Sequence, residues 1–171
     1  MCKKLIKISN RLGKNFRKPS GGFFRLTLYI AVCCGDVQGG ELSWAPLLYA
    51  VPLALNTEAI LHSNNTRDAD VDREAGIVTL AILAGRTGSY VIFALLLFTP
   101  YIVFALLTAN ASRWFLLPLL TVMFAFNTER QFRRGDLTKM PQAVAVLNFK
   151  LAVAYVAACA FTDRSTLPGL T

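Results

Sequence analysis

Metal-binding side chains and charge are what this sequence has least of. It has one histidine, His62, and four cysteines, Cys2, Cys33, Cys34 and Cys159, with no CxxC or CxxH spacing, which leaves no zinc framework. Cys159 reads as a small apolar helix residue, and the adjacent Cys33 and Cys34 are either packed or acylated beside a membrane. Only 16% of the 171 residues are charged while 54% are hydrophobic, and mean hydropathy is +0.47. That balance excludes an ordinary soluble domain and points to an integral, multi-pass membrane protein. No internal repeat and no polar stripe deep in the apolar segments supports a channel or transporter.

What is present is a set of long apolar runs. Thr87 to Ser112 contains no charge, and about 20 apolar residues suffice to span a bilayer. Leu42 to Leu61 makes a second span despite Pro46, Pro52 and Glu58, since helix breakers are tolerated where they face a bundle interior. Trp114 to Thr128 is charge-free but short, and Ala143 to Phe161, with Lys150 inside it, makes a fourth. The predicted fold is all-α, a polytopic transmembrane helical bundle of about four spans. Trp114–Thr128 should form an antiparallel hairpin with the helix before it, which puts the loops 62–86 and 129–142 on one membrane face.

The net charge of +8 sits at one end. Residues 1–25 hold eight basic side chains and no acid, while the rest of the chain balances ten against ten. Read as a helix, this arm puts Leu5, Ile8, Leu12 and Phe16 on one face and its lysines on another, as suits an anionic membrane surface or a targeting sequence. It equally suits a solvated terminus obeying the positive-inside rule. A nucleic-acid role needs a soluble partner-facing domain, which nothing here builds, so no nucleic-acid partner is expected. Arg67, Arg73, Arg86, Arg130, Arg133, Arg134 and Lys139 fall on the face shared by the two loops, against Arg113 and Arg164 opposite. This bias makes the shared face the cytosolic-type one. Phe23 to Cys34 is too short to cross unaided, which is expected if a piece of a longer helix is missing or replaced.

Between two apolar runs lies His62-Ser-Asn-Asn-Thr-Arg-Asp-Ala-Asp-Val-Asp-Arg-Glu-Ala-Gly76. If it is helical, Asn64, Asp68 and Asp72 recur at i, i+4 and i+8 and line one stripe, with Asp70 on the other side. Magnesium takes one or two carboxylates and completes its shell with phosphate oxygens and water, so the stripe suits a metal diphosphate, with Arg67 and Arg73 steadying the charge that develops on a leaving diphosphate. The competing reading is a solvated interhelical loop whose Arg–Asp pairs keep it soluble. His62 reads as an interfacial histidine.

Asn64-Asn65-Thr66-Arg67-Asp68, then Asp72-Arg73-Glu74-Ala75-Gly76 and Thr79-Leu80-Ala81, resemble the second aspartate-rich motif of the UbiA superfamily of intramembrane prenyltransferases, in the form used by its menaquinone branch. The resemblance continues through Glu58–Ser63, Glu129-Arg130-Gln131-Phe132-Arg133, Lys139-Met140-Pro141-Gln142 and Leu147-Asn148. It covers residues 42–161, about the last four of the family's nine helices, and divides the chain into a basic arm with a short apolar stretch (1–34) and the C-terminal part of a prenyltransferase domain (35–171). It implies a magnesium-dependent enzyme that joins an isoprenoid diphosphate, such as geranylgeranyl diphosphate, to a naphthoquinol ring in menaquinone or vitamin K2 synthesis. By position it implies Asp68 and Asp72 as catalytic residues, Asn64, Asp68 and Asp72 as magnesium ligands, and Asn64, Asn65, Arg67, Arg73, Arg130 and Arg133 as substrate-binding residues. Membrane lipid and other membrane proteins are the expected surroundings, in the endoplasmic reticulum or Golgi, with a mitochondrial membrane as the alternative. The family's first motif, an Asn-x-x-x-Asp element near its second helix, has no counterpart among these 171 residues. The chain is therefore expected to carry half of a site, either as part of an enzyme or as a non-catalytic derivative that binds isoprenoid lipid or a membrane partner.

Overall fold

A computed structural model describes residues 45–163, with side chains from Tyr49 onward. The basic arm, the loop 35–41, the first residues of the span beginning at Leu42, and Arg164 lie outside the described residues. The helices are α1 (Ala45–Arg67), α2 (Ala69–Glu74), α3 (Leu80–Asn110), α4 (Leu116–Leu119), α5 (Val122–Arg134) and α6 (Met140–Phe161), with a 3₁₀ turn at Arg113–Phe115 ahead of α4. There is no strand among the described residues, and the chain is an all-α bundle.

Two helices are long and apolar enough to cross a membrane, α3 with 31 residues and α6 with 22. The outward sides of these helices are apolar: Leu95, Ile102 and Leu106 on α3 and Phe149, Val153 and Val156 on α6 are all exposed. Their inward sides carry Phe93, Leu97 and Phe104, and Val144, Leu147 and Leu151, all buried. Apolar side chains on both sides fit a bundle bathed in lipid. At 23 residues α1 is also long enough, at about 1.5 Å per residue, to cross. Asn56, Glu58 and its polar end from His62 to Arg67 make it the least apolar of the three.

α1 packs against both α3 and α6. The Phe93 ring stacks on Phe132 of α5 at 4.1 Å between centroids, and Phe104 meets Tyr155 edge-on at 5.0 Å. Polar groups inside the bundle are tied down where they can be. The Tyr155 hydroxyl donates to the Tyr49 carbonyl at 2.9 Å, and Asn148 Nδ2 donates to Thr57 Oγ1 at 3.3 Å. Such ties replace the water that a bilayer interior does not supply.

The expected span over Trp114–Thr128 is not one helix. Leu120 N–H reaches Leu117 O at 3.2 Å and Thr121 N–H reaches Pro118 O at 3.1 Å, both one residue short of α-helical pairing. The Thr121 hydroxyl also donates to Pro118 O at 2.7 Å and accepts from the Tyr101 hydroxyl at 2.9 Å. This side-chain competition for a helix carbonyl tightens the chain between α4 and α5. The helix restarts at Val122 and continues past Thr128 to Arg134.

α3 is also divided. Gly85 sits at φ +67°, ψ −176°, a conformation essentially reserved for glycine, so Leu80–Ala84 and Arg86–Asn110 are separate helical pieces. The second piece alone, at about 1.5 Å per residue, covers the hydrocarbon thickness.

Loops 62–86 and 129–142 meet at one end of the bundle. His62 Nε2 donates to Ser89 O at 3.0 Å, and Tyr90 reaches Glu129 from the same part of α3. Single cysteines at the exposed positions Asp70 and Asp136 should therefore react with a membrane-impermeant thiol reagent from the same side. In sealed vesicles, labelling from opposite sides would break the shared-face arrangement.

Candidate functional site

The polar end of α1 runs almost without interruption into α2. Asp68 leaves ideal helical geometry, yet its N–H still reaches Asn64 O at 3.0 Å and Asp72 N–H reaches Asp68 O at 2.9 Å. The helical ladder thus stacks Asn64, Asp68 and Asp72 along one flank, all half-buried. The Asp70 side chain is 92% exposed.

Arg67 organises the stripe. Its Nε donates to Asp68 Oδ1 at 2.7 Å, and its Nη2 donates to Asp68 Oδ2 and to Asn64 Oδ1, each at 2.8 Å. This bidentate bond holds the Asp68 carboxyl below the usual carboxylate range. Because the folded value is lowered, the bond's contribution is fully present above the ordinary aspartate range and is lost only as pH falls through the lowered value. Both side chains are about one-third exposed, so solvent screens the pair. Asp72 makes no side-chain hydrogen bond or ion pair among the described residues.

Of the six residues expected to bind substrate, Asn64 and Arg67 are in contact at 2.8 Å, whereas Arg73 and Arg133 lie apart from them. Arg73 lies five residues beyond Asp68 and so projects from a different flank, where its Nη1 meets Asp70 Oδ1 at 3.0 Å. Arg133 Nε lies 3.5 Å from Glu129 Oε1, and the Tyr90 hydroxyl donates to that same oxygen at 2.6 Å. Arg73 and Arg133 both open on a cavity of about 570 Å³ whose walls include Thr66, Asp70, Arg86 and Tyr90. Asn64, Arg67, Asp68 and Asp72 are not among its lining residues. Asn65 is half-buried beside the stripe, and Arg130 is exposed on α5 without an ion pair among the described residues.

No group of three or more His, Cys, Asp or Glu side chains among the described residues is arranged to hold a metal ion. The donors of the stripe are nonetheless hard oxygens, an amide and two carboxylates, the type that magnesium takes when a phosphate completes its shell. They fit one side of a magnesium site. His62 is buried with Nε2 committed to Ser89 O, which joins α1 to α3 beneath the cavity and leaves it a structural residue.

Sequence reasoning passes over Arg86 and Tyr90 as site residues. The available signal was Gly85 just before the charge-free run, since glycine admits the left-handed φ at which the helix breaks ahead of Arg86.

The UbiA prenyltransferase family model matches residues 18–161, beginning inside the arm of residues 1–34. The chain is 54% identical over 134 residues to UbiA prenyltransferase domain-containing protein 1 of Mus musculus, covering 78% of this chain and 40% of that protein. It is 57% identical over 134 residues to the Drosophila melanogaster homolog, again 78% of this chain but 37% of the relative. With the Danio rerio protein it shares 56% over 132 residues, 77% of this chain and 39% of the relative. The chain thus spans about two fifths of the length of these curated relatives. A match over most of its residues, with an all-α bundle and two helices fit to cross a membrane, places the chain in the UbiA prenyltransferase family.

Proposed function

We propose that Asn64, Asp68 and Asp72 form one side of a magnesium–diphosphate site in an intramembrane prenyltransferase that joins an isoprenoid diphosphate of the geranylgeranyl type to a naphthoquinol, in menaquinone or vitamin K2 synthesis within an organelle membrane. The observation that carries this reading is the three-residue oxygen stripe at the polar end of α1, with Arg67 forked across two of its members. Magnesium, when bound, neutralises the diphosphate and makes it a better leaving group. Arg67 keeps Asp68 ionised and aimed along the stripe, Asp72 offers an oxygen pair with no competing donor among the described residues, and Asn65 lies beside the same flank. Arg73, Arg130 and Arg133 add positive charge at this end of the bundle without touching the stripe.

The test compares three conservative variants in a full-length relative, at the positions matching Asp68→Asn, Asp72→Asn and Asp70→Asn. The first two should each weaken magnesium-dependent binding of geranylgeranyl diphosphate by about tenfold or more, corresponding to loss of a charge-assisted contact. Asp70→Asn should leave it nearly unchanged. Equal losses in all three would mean that only the charge of the loop matters.

A second reading has a specific observation behind it. With a single carboxylate pair and no three-ligand cluster among the described residues, the chain also fits a non-catalytic family member that binds isoprenoid lipid or a membrane partner.

A further inference from the structure

The cavity enclosed by α2, the start of α3 and the end of α5 is a different environment from the oxygen stripe. Three arginines, Arg73, Arg86 and Arg133, line it, and among the described residues Asp70 is the only acid that does. Glu129 stands just behind Arg133 and is already engaged by both Arg133 and the Tyr90 hydroxyl. Arg73 spends one nitrogen on Asp70. Arg86 has no ion pair among the described residues.

The three do not converge by chance of sequence. Gly85, at a backbone conformation only glycine takes up readily, turns the chain so that Arg86 lies at the mouth of the cavity. Gly135, in the left-handed conformation that ends α5, leaves room for it, since a methyl group there would stand 3.0 Å from Arg86 Nη2. Arg86 therefore lies against the end of α5 that also carries Arg133. The remaining described cations at this end of the bundle, Arg67, Arg130, Arg134 and Lys139, are not in the cavity wall. The Arg73 and Arg133 side chains are 61% and 62% exposed, so all three arginines of the wall are open to a ligand arriving from solvent.

We propose that this cavity is a phosphate-binding site, in which Arg73, Arg86 and Arg133 hold the phosphate group of an anion, separately from Asn64, Asp68 and Asp72. A guanidinium presents five N–H groups, so Arg73 and Arg133 keep donors to spare after their carboxylate contacts, and Arg86 keeps all of its own. A phosphate offers the acceptors that match these forks, and its charge relieves the repulsion among them. The cavity opens at the end of the bundle where lipid headgroups lie, so the phosphate can come from a phosphomonoester lipid or from free phosphate. Neither source involves the metal.

The experiment uses the 171-residue chain in nanodiscs with EDTA present. In one arm, phosphatidylcholine discs contain phosphatidic acid as a minor component, and lipid retained by the protein is measured by native mass spectrometry. In the other, inorganic phosphate is titrated into discs of phosphatidylcholine alone while the arginine Nε–Hε resonances are followed by NMR. Retention of phosphatidic acid above its share of the disc, reduced about tenfold by Arg86→Gln, supports a lipid source. Saturable shifts of Arg73, Arg86 and Arg133, with Arg130 and Arg134 unmoved, support free phosphate. Should Arg86→Gln fail to fold, the resonances of the unaltered chain in both disc types decide the question alone. The proposal is overturned if neither arm shows binding, if Arg86→Gln folds and binds as before, or if Asp68→Asn abolishes binding, which would place the anion on the stripe. Because no metal is present, either result leaves the magnesium–diphosphate reading to its own test.

Discussion

Purified into liposomes with magnesium, geranylgeranyl diphosphate and menadiol, these 171 residues alone are expected to form no prenylated quinone above a no-protein control. The reason lies in the donor count. A diphosphate carries several negative charges, and departing from an allylic carbon it must be held in line while more charge collects on the oxygen whose bond to that carbon breaks. Here one flank supplies two carboxylates and an amide, and the Arg67 fork already occupies both oxygens of Asp68. A metal gripped from one side leaves the leaving group free to pivot. In the relatives, the larger part of the chain has no counterpart in this alignment, which covers 37–40% of their length. Co-expressing that remaining part of a relative as a separate polypeptide should restore turnover, provided the described helices fold on their own. Turnover by the 171 residues unaided would refute the half-site argument and direct attention to Arg130 and Arg133 as diphosphate holders.

Glu129→Ala should have the largest effect on stability among the polar residues at this end, a loss of about 1–3 kcal/mol, the usual cost of stranding the partners of a buried acceptor. Glu129 is 8% exposed, and one of its oxygens takes both the Tyr90 hydroxyl at 2.6 Å and the Arg133 guanidinium at 3.5 Å. Its removal therefore costs two groups their acceptor and loosens α5 from α3. Tyr90→Phe should cost less, because Arg133 stays on the carboxylate. The double variant should cost clearly less than the sum of the two single ones. Equilibrium unfolding in mixed micelles provides the measurement, and strict additivity would mean that the short Tyr90–Glu129 contact contributes nothing to holding the helices together.

Much of this arrangement could be read from the sequence, and the parts that could not have a common cause. The charge-free run from Thr87 and the run ending at Phe161 announce α3 and α6, because a bilayer demands length and hydropathy before anything else. The Asn64, Asp68 and Asp72 stripe follows from four-residue spacing, and the backbone bonds from Asp68 to Asn64 and from Asp72 to Asp68 keep that spacing across the break between α1 and α2. The break between α4 and α5 was hidden because nothing in an apolar run betrays a competing hydroxyl. Thr121 acts through Tyr101, twenty residues earlier in the chain. The cavity was hidden for the same reason on a larger scale, since its walls come from residues 66 to 137 and only packing of α2, α3 and α5 brings them together. Arg73 and Arg133 were placed with the stripe because they are near it in sequence or on the same membrane face, whereas helix angle and carboxylate partners turn them elsewhere.

The glycine that divides α3 also has a mechanical meaning. A continuous rod of 31 residues would transmit any tilt of its extramembrane end directly into the packing of Phe93, Leu97 and Phe104. Gly85 interrupts the rod just outside that packed stretch, so the short arm Leu80–Ala84 takes its own direction, and the buried Ser89 hydroxyl clamps it back on the long piece by donating to Ala81 O at 3.1 Å. The break is a fixed elbow: it redirects the polar end while the buried rings keep their register.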